Sequence, residues 1–138
     1  MKAILSALLL AASACAAVPA AKTAPQVSPA ASSTPEAVIV DGKEAHRLVA
    51  SGVKVVDVRT PEEFADGHVP GALNIPYDEV GARLKEIGPP STPVLVYCYS
   101  GGRAATAAKT LQEKGYQRIY NMEEYDRWVE SEPAAAKR

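Results

Sequence analysis

Val94-Leu95-Val96-Tyr97-Cys98-Tyr99-Ser100-Gly101-Gly102-Arg103-Ala104-Ala105 is the stretch on which the reading of this chain turns. An apolar run short enough for a buried strand ends at a cysteine, passes through Ser-Gly-Gly and enters an Ala-rich segment of helical character. A thiol therefore stands at a strand-to-helix turn. The glycines let the backbone close around the sulfur, and N–H groups of the turn and of the first helical turn would point at it and favour negative charge there. A lone cysteine in a soluble domain is usually a small buried hydrophobe. Here the glycines and Arg103 argue for a reactive thiolate instead, because electropositive surroundings mark such thiols.

The segments on either side give this turn a sheet to sit on. Val53-Lys54-Val55-Val56-Asp57-Val58 is a β-branched run suited to a strand covered on both faces. Thr60-Pro61-Glu62-Glu63 reads as a capping box with proline at the first helical position, so a short helix should run to about Asp66 and end at Gly67. A brief strand is expected at residues 72–75 and another at 37–40. Asp41, followed by Glu44, should cap a helix through Val49 that Gly52 stops. Asp78 should cap a further helix with Val80, Leu84 and Ile87 on one face, broken by the proline-rich stretch from Gly88 to Pro93. After the cysteine loop, residues 102–114 read as a helix ended by Gly115, with Ala105, Ala108, Leu111 and Gln112 as its packing face. A last strand is expected at 118–120 and a last helix at 123–130. Strands alternate with helices throughout, which predicts a single α/β domain with a parallel sheet. In such sheets ligand sites gather at the strand C-terminal ends, where Cys98 lies. Neither an internal repeat nor a dinucleotide-binding glycine pattern is visible.

With 138 residues, the chain has room for one domain once its ends are set aside. Its 15 basic and 16 acidic residues are interspersed, and no basic block suggests nucleic acid as a partner. The first residues form a one-lysine n-region and a short apolar core ending in small residues, the pattern of a secretory signal peptide over residues 1–14. Ala12-Ser13-Ala14-Cys15 resembles a bacterial lipobox, with Ala12 where Leu is usual, and makes Cys15 a candidate lipidation site. Cleavage by an ordinary signal peptidase after a small-residue pair is the alternative. On either reading the mature protein is exported, as a periplasmic protein or a membrane-anchored lipoprotein. Residues 15–36, rich in Ala, Pro and Ser, cannot bury a core and read as a tether. The domain is expected over residues 37–131, with a tail at 132–138. Cys15 and Cys98, the only two cysteines, lie in contexts too different for a disulfide to be expected. With two histidines at unhelpful spacing, no metal site is expected either, and no organic cofactor is called for.

Two motifs resemble the rhodanese family of single-domain type. One is Asp57-Val58-Arg59, Glu63-Phe64 and Gly67-His68-Val69-Pro70-Gly71-Ala72 with Asn74-Ile75-Pro76; the other is Cys98-Tyr99-Ser100-Gly101-Gly102-Arg103. The resemblance implies a three-layer α/β fold, with a parallel sheet of about five strands and helices on both faces. It also implies sulfur transfer. Cys98 would be the nucleophile, taking sulfur from a small anionic donor such as thiosulfate and passing it from a persulfide to cyanide or a thiol. Backbone amides of residues 99–103 would stabilise the thiolate and the persulfide, Arg103 would attract the donor, and Tyr99, Ser100 and Gly102 would line the entrance. Phosphatases and arsenate reductases on the same fold have a seven-residue loop, whereas this one counts six from Cys98 to Arg103, which favours sulfur over phosphate. A non-enzymatic module that binds a partner or senses sulfur is the other rival, and the intact loop speaks against it. With no second cysteine in the domain, a persulfide carrier is expected in preference to a disulfide switch.

The chain departs from the family where Gly-Gly usually precedes the last helix, having Asn121-Met122-Glu123-Glu124-Tyr125 instead. Glutamates there suit a helix N-terminus, and if they face the loop they would repel anionic donors. Asp57 and Arg59 are supporting residues in this reading: Arg59 is expected to pair with Glu63, and Asp57 to bond nearby backbone groups. His68 is expected to be a structural, hydrogen-bonded histidine, His46 to lie on the surface, and Trp128 to anchor the core. Strand alternation should turn Tyr97 away from the site.

Overall fold

The computed structural model describes residues 35–133. The leader, Cys15, the tether as far as residue 34, and residues 134–138 of the tail lie outside the described residues. In chain order the elements are β1 (Val38–Ile39), α1 (Gly42–Ala50), β2 (Lys54–Asp57), α2 (Pro61–Asp66), β3 (Leu73–Asn74), α3 (Leu84–Ile87), β4 (Val94–Cys98), α4 (Gly102–Glu113), β5 (Ile119–Glu124) and α5 (Tyr125–Glu130). The five strands form one parallel sheet in the order β1-β5-β4-β2-β3. Each parallel step needs a crossover, and the helices that supply the crossovers cover both faces.

Every residue of β4 is buried, and its side chains alternate between two cores. Val94, Val96 and Cys98 pack with Ala104, Ala107, Ala108 and Leu111 of α4 and with Ile87 of α3. Leu95 and Tyr97 pack on the opposite face with Ala45 of α1, Trp128 of α5 and Met122 of β5. The three-layer arrangement follows from this alternation. The α4 stripe consists of positions 104, 107, 108 and 111, a helical i, i+3, i+4, i+7 set. Ala105, expected on that face, is exposed, and Gln112 is only half-buried.

The cap of α1 is as the sequence leads one to expect, with the Glu44 N–H donating to Asp41 Oδ1 at 2.8 Å. Two other elements differ from expectation. The expected helix from Asp78 is mostly turn across residues 77–82, and α3 is a single turn starting at Leu84. The Ala82 N–H bonds Glu79 O and the Glu79 N–H bonds Pro76 O, tight three-residue closures. Gly81, costly in a helix interior, lies in the middle. Val80 is nevertheless buried, within the core cluster that contains Val58, Ile75 and Ile87. At the other end of the chain, β5 continues through Glu124 instead of stopping at Tyr120, and α5 begins at Tyr125. The register against β4 shifts there. Val96 stands opposite Asn121 but Tyr97 opposite Glu123, so Met122 is a bulged extra residue whose side chain is fully buried. Among the described residues, no helix is long and apolar enough to cross a membrane.

Candidate active site

β4 delivers Cys98 to the C-terminal edge of the sheet, and α4 departs at Gly102. Gly101 holds the turn with φ +84°, a left-handed conformation that glycine adopts without steric cost. Its N–H donates to Cys98 Sγ at 3.0 Å. Cys98 is fully buried beneath the loop, while Tyr99, 62% exposed, and Ser100 form the outer surface.

Arg103 lies in the first turn of α4, where its guanidinium forks onto Glu63 of α2, with Nη1 to Oε2 at 2.7 Å and Nη2 to Oε1 at 2.9 Å. Two parallel charge-assisted bonds of this kind fix orientation as well as distance. Glu63 is itself set by the capping box. The Thr60 N–H donates to its Oε2 at 3.0 Å, and its own N–H donates to Thr60 Oγ1 at 3.3 Å. The bond from Arg103 is the main cause that holds the Glu63 carboxyl down at about 2.

Arg59 therefore does not pair with Glu63 as expected. It folds back onto Asp57, its Nε 3.0 Å from both carboxylate oxygens and its Nη2 2.6 Å from Oδ2. Nη2 also donates to the Gly67 carbonyl at 2.6 Å, and the guanidinium lies 4.6 Å from the Tyr125 ring centroid. The chain bends at Arg59 just beyond the end of β2, which brings its side chain back onto Asp57 and explains the exchange of partners. Burial works to lower the Arg59 pKa, but the hydrogen bond and charge of Asp57 raise it on balance. The Arg59 N–H completes the unit by donating to Asp57 Oδ1 at 2.9 Å, so Asp57 does bond nearby backbone. Asn74 clamps the same turn from β3, donating through Nδ2 to Arg59 O at 3.0 Å. Asp57 and Arg59 thus build the floor beside the loop.

Tyr97 points into the core on the face opposite Cys98 and accepts a bond from the Val69 N–H at 3.0 Å. Burial pushes its phenol well above the ordinary range. His68 stacks on Phe64 and bonds its carbonyl through Nδ1 at 2.9 Å. His46 is less exposed than expected, because its ring stacks on Trp128 with centroids 3.6 Å apart. Trp128 itself is buried.

A cleft of about 300 Å³ adjoins the loop, lined by Arg59, Pro61, Pro76, Tyr77, Asp78 and Arg103 among others. A larger concavity of about 450 Å³, near Asp41, Arg127 and Ser131, includes neither Cys98 nor its loop. Four participants escaped the sequence reading. Glu63 was legible as a cap but not as the partner of Arg103, forty residues away. Tyr77 and Asp78 carry no local signal of lining a cleft. Glu123 was recognised only as unusual. It sits in β5 against the loop, where a methyl group placed on Gly101 would come within 3.4 Å of Glu123 Cβ. It does not begin α5 as expected, and its carboxylate pairs with Arg127.

Comparison with known proteins adds lineage to this geometry. The family profile described as Rhodanese-like domain matches residues 41–131. A protein named Sulfurtransferase from Allochromatium vinosum is 41% identical over 70 residues, which are 51% of this chain and 64% of that protein. The Bacillus subtilis protein YqhL is 42% identical over 69 residues, or 50% of this chain and 54% of that one. Both matches thus span less than two thirds of the curated relatives' lengths. Among solved structures, the human single-domain sulfurtransferase TSTD1 is 28% identical with a TM-score of 0.61, over 70% of this chain and 97% of that protein.

Proposed function

Because the chain belongs to the rhodanese-like domain family, we propose that it is a sulfurtransferase that carries a sulfane sulfur as a persulfide on Cys98. The observation that carries the reading is the sulfur itself, held at the end of a central strand by the Gly101 N–H at 3.0 Å. A donor to sulfur favours the thiolate, and the same amide suits the terminal anionic sulfur of a persulfide. The six-residue loop and the Allochromatium relative named Sulfurtransferase point the same way.

With thiosulfate as donor, the Cys98 thiolate attacks the outer sulfur. The donor S–S bond breaks, and sulfite leaves with the electron pair. Cyanide or a thiolate then attacks the terminal sulfur of the persulfide, forming thiocyanate or a new persulfide and returning Cys98 as the thiolate. Each half-reaction conserves charge and needs no external oxidant. Because Cys98 is buried, the exposed segment Tyr99-Ser100 must yield for a donor to enter. Arg103 has a different part from the free attractant expected. Its fork is occupied by Glu63, so it fixes the first turn of α4 to α2 and offers the donor a charge moderated by that carboxylate. The leader supports an exported setting for this chemistry, periplasmic or on a lipid anchor at Cys15.

The test is donor-dependent mass measurement. Protein treated with thiosulfate should gain one sulfur atom, lose it to cyanide as thiocyanate, and do neither after Cys98→Ser. Wild-type protein that gains no sulfur from any sulfane donor would sink the proposal.

A further inference from the structure

Glu123 is the one non-glycine residue with positive φ among the described residues, at +67°. A glutamate in the left-handed region pays a steric cost that glycine would avoid. The conformation is held by the Met122 bulge and by Asn121, whose Oδ1 accepts the Glu123 N–H at 2.8 Å. It places Glu123 Cβ and Cγ against Gly101, 3.4 and 3.9 Å from where a side chain on that glycine would begin. Gly101 is the residue whose amide holds the sulfur. The Glu123 carboxylate is paired with Arg127, which reaches it from α5. The two arginines nearest the loop are already committed, Arg59 to Asp57 and Arg103 to Glu63. Glu124 adds a further carboxylate, opposite Cys98 in the strand register.

We infer that Glu123 is a specificity-determining residue, selecting by charge what reaches Cys98 and disfavouring doubly anionic donors relative to singly charged or neutral ones. The inference rests on the sulfurtransferase reading for its choice of substrates, though its electrostatic core does not. The carboxylate begins one bond beyond the Cγ that packs on Gly101, and it repels each negative charge on an approaching anion. Thiosulfate carries two such charges and a thiosulfonate one. Arg127 moderates the repulsion, so the two residues act with opposite sign.

Alkylation of Cys98 in the full-length chain reads the field directly. Iodoacetate and iodoacetamide need the same access to the sulfur and differ in one charge, so the ratio of their rates cancels burial. The ratio is followed on the Cys98 peptide by mass spectrometry at low ionic strength. Glu123→Gln should raise the iodoacetate to iodoacetamide ratio about threefold or more, and Arg127→Gln should lower it, both effects fading as salt screens the charges. In turnover, Glu123→Gln should raise kcat/KM for thiosulfate relative to methanethiosulfonate by a similar factor. Unchanged ratios in both variants would overturn the inference and reduce Glu123 to packing against Gly101, a role its isosteric amide would fill equally well. An alkylation shift of the expected sign, with no sulfur loaded from either donor, would uphold the charge selection and remove the sulfurtransferase reading.

Discussion

Asp57 and Arg59 stand two residues apart at the end of β2, and both are buried. Removing one partner of a buried pair strands the other charge, so Asp57→Ala should destabilise the domain by about 3–5 kcal/mol. Urea unfolding followed by circular dichroism would read the loss, and a change below about 1 kcal/mol would refute it. Glu63 and Arg103 are half-exposed, and solvent moderates their pair. The Glu63 carboxyl is lowered in the folded state, so its stabilisation is present above the ordinary value of 4.5 and is lost as pH falls through about 2. After discounting for screening, the loss should be about 1 kcal/mol. Comparing wild type with Glu63→Gln at neutral pH and near pH 2 checks it, because the gap between them should close in acid. The turn that carries Cys98 was legible from its glycines and the pairings were not. Asp57 and Arg59 are near neighbours in sequence and could have been paired locally, whereas nothing local joins Glu63 to a guanidinium forty residues on.

Among the elements, α2 shows how a local motif comes to serve the site. Its capping box was readable as Thr60-Pro61-Glu62-Glu63, and the same glutamate goes on to hold α4. Thr60→Ala should cost about 1 kcal/mol of stability, as cap deletions do. It should also loosen Arg103, and an Arg103→Lys change should weaken the tie through loss of the fork. Thermal unfolding together with sulfur-loading rates would separate the two effects. An unchanged melting temperature for Thr60→Ala would contradict the cap's contribution. The elements misjudged from sequence share one physical reason, namely that tertiary context outweighed local pattern. Asn121-Met122-Glu123-Glu124 is a poor strand by composition, yet β4 supplies a paired edge and the bulge keeps Met122 in the core. The Val80, Leu84 and Ile87 stripe promised a long helix, yet Gly81 and the closures after Pro76 gave a turn.

For the molecule as a whole, alternation of strands and helices was sufficient to give an α/β domain with a parallel sheet, because apolar runs buried on both faces leave few other solutions, while the three layers came from the family resemblance. The leader sets a separate expectation for the full chain. Cys15→Ala should shift the protein from the membrane to the soluble fraction if that cysteine carries lipid, and an unchanged distribution would indicate plain export. Strand order has a further consequence. β4 is paired along both edges and buried throughout, whereas β1 and β3 are two-residue strands at the rims of the sheet. Backbone amides of β4 should therefore exchange with deuterated solvent only when the entire domain opens, while those at the rims exchange through local fraying. Cys98, the proposed nucleophile, is thus mounted on the part of the fold expected to come apart last.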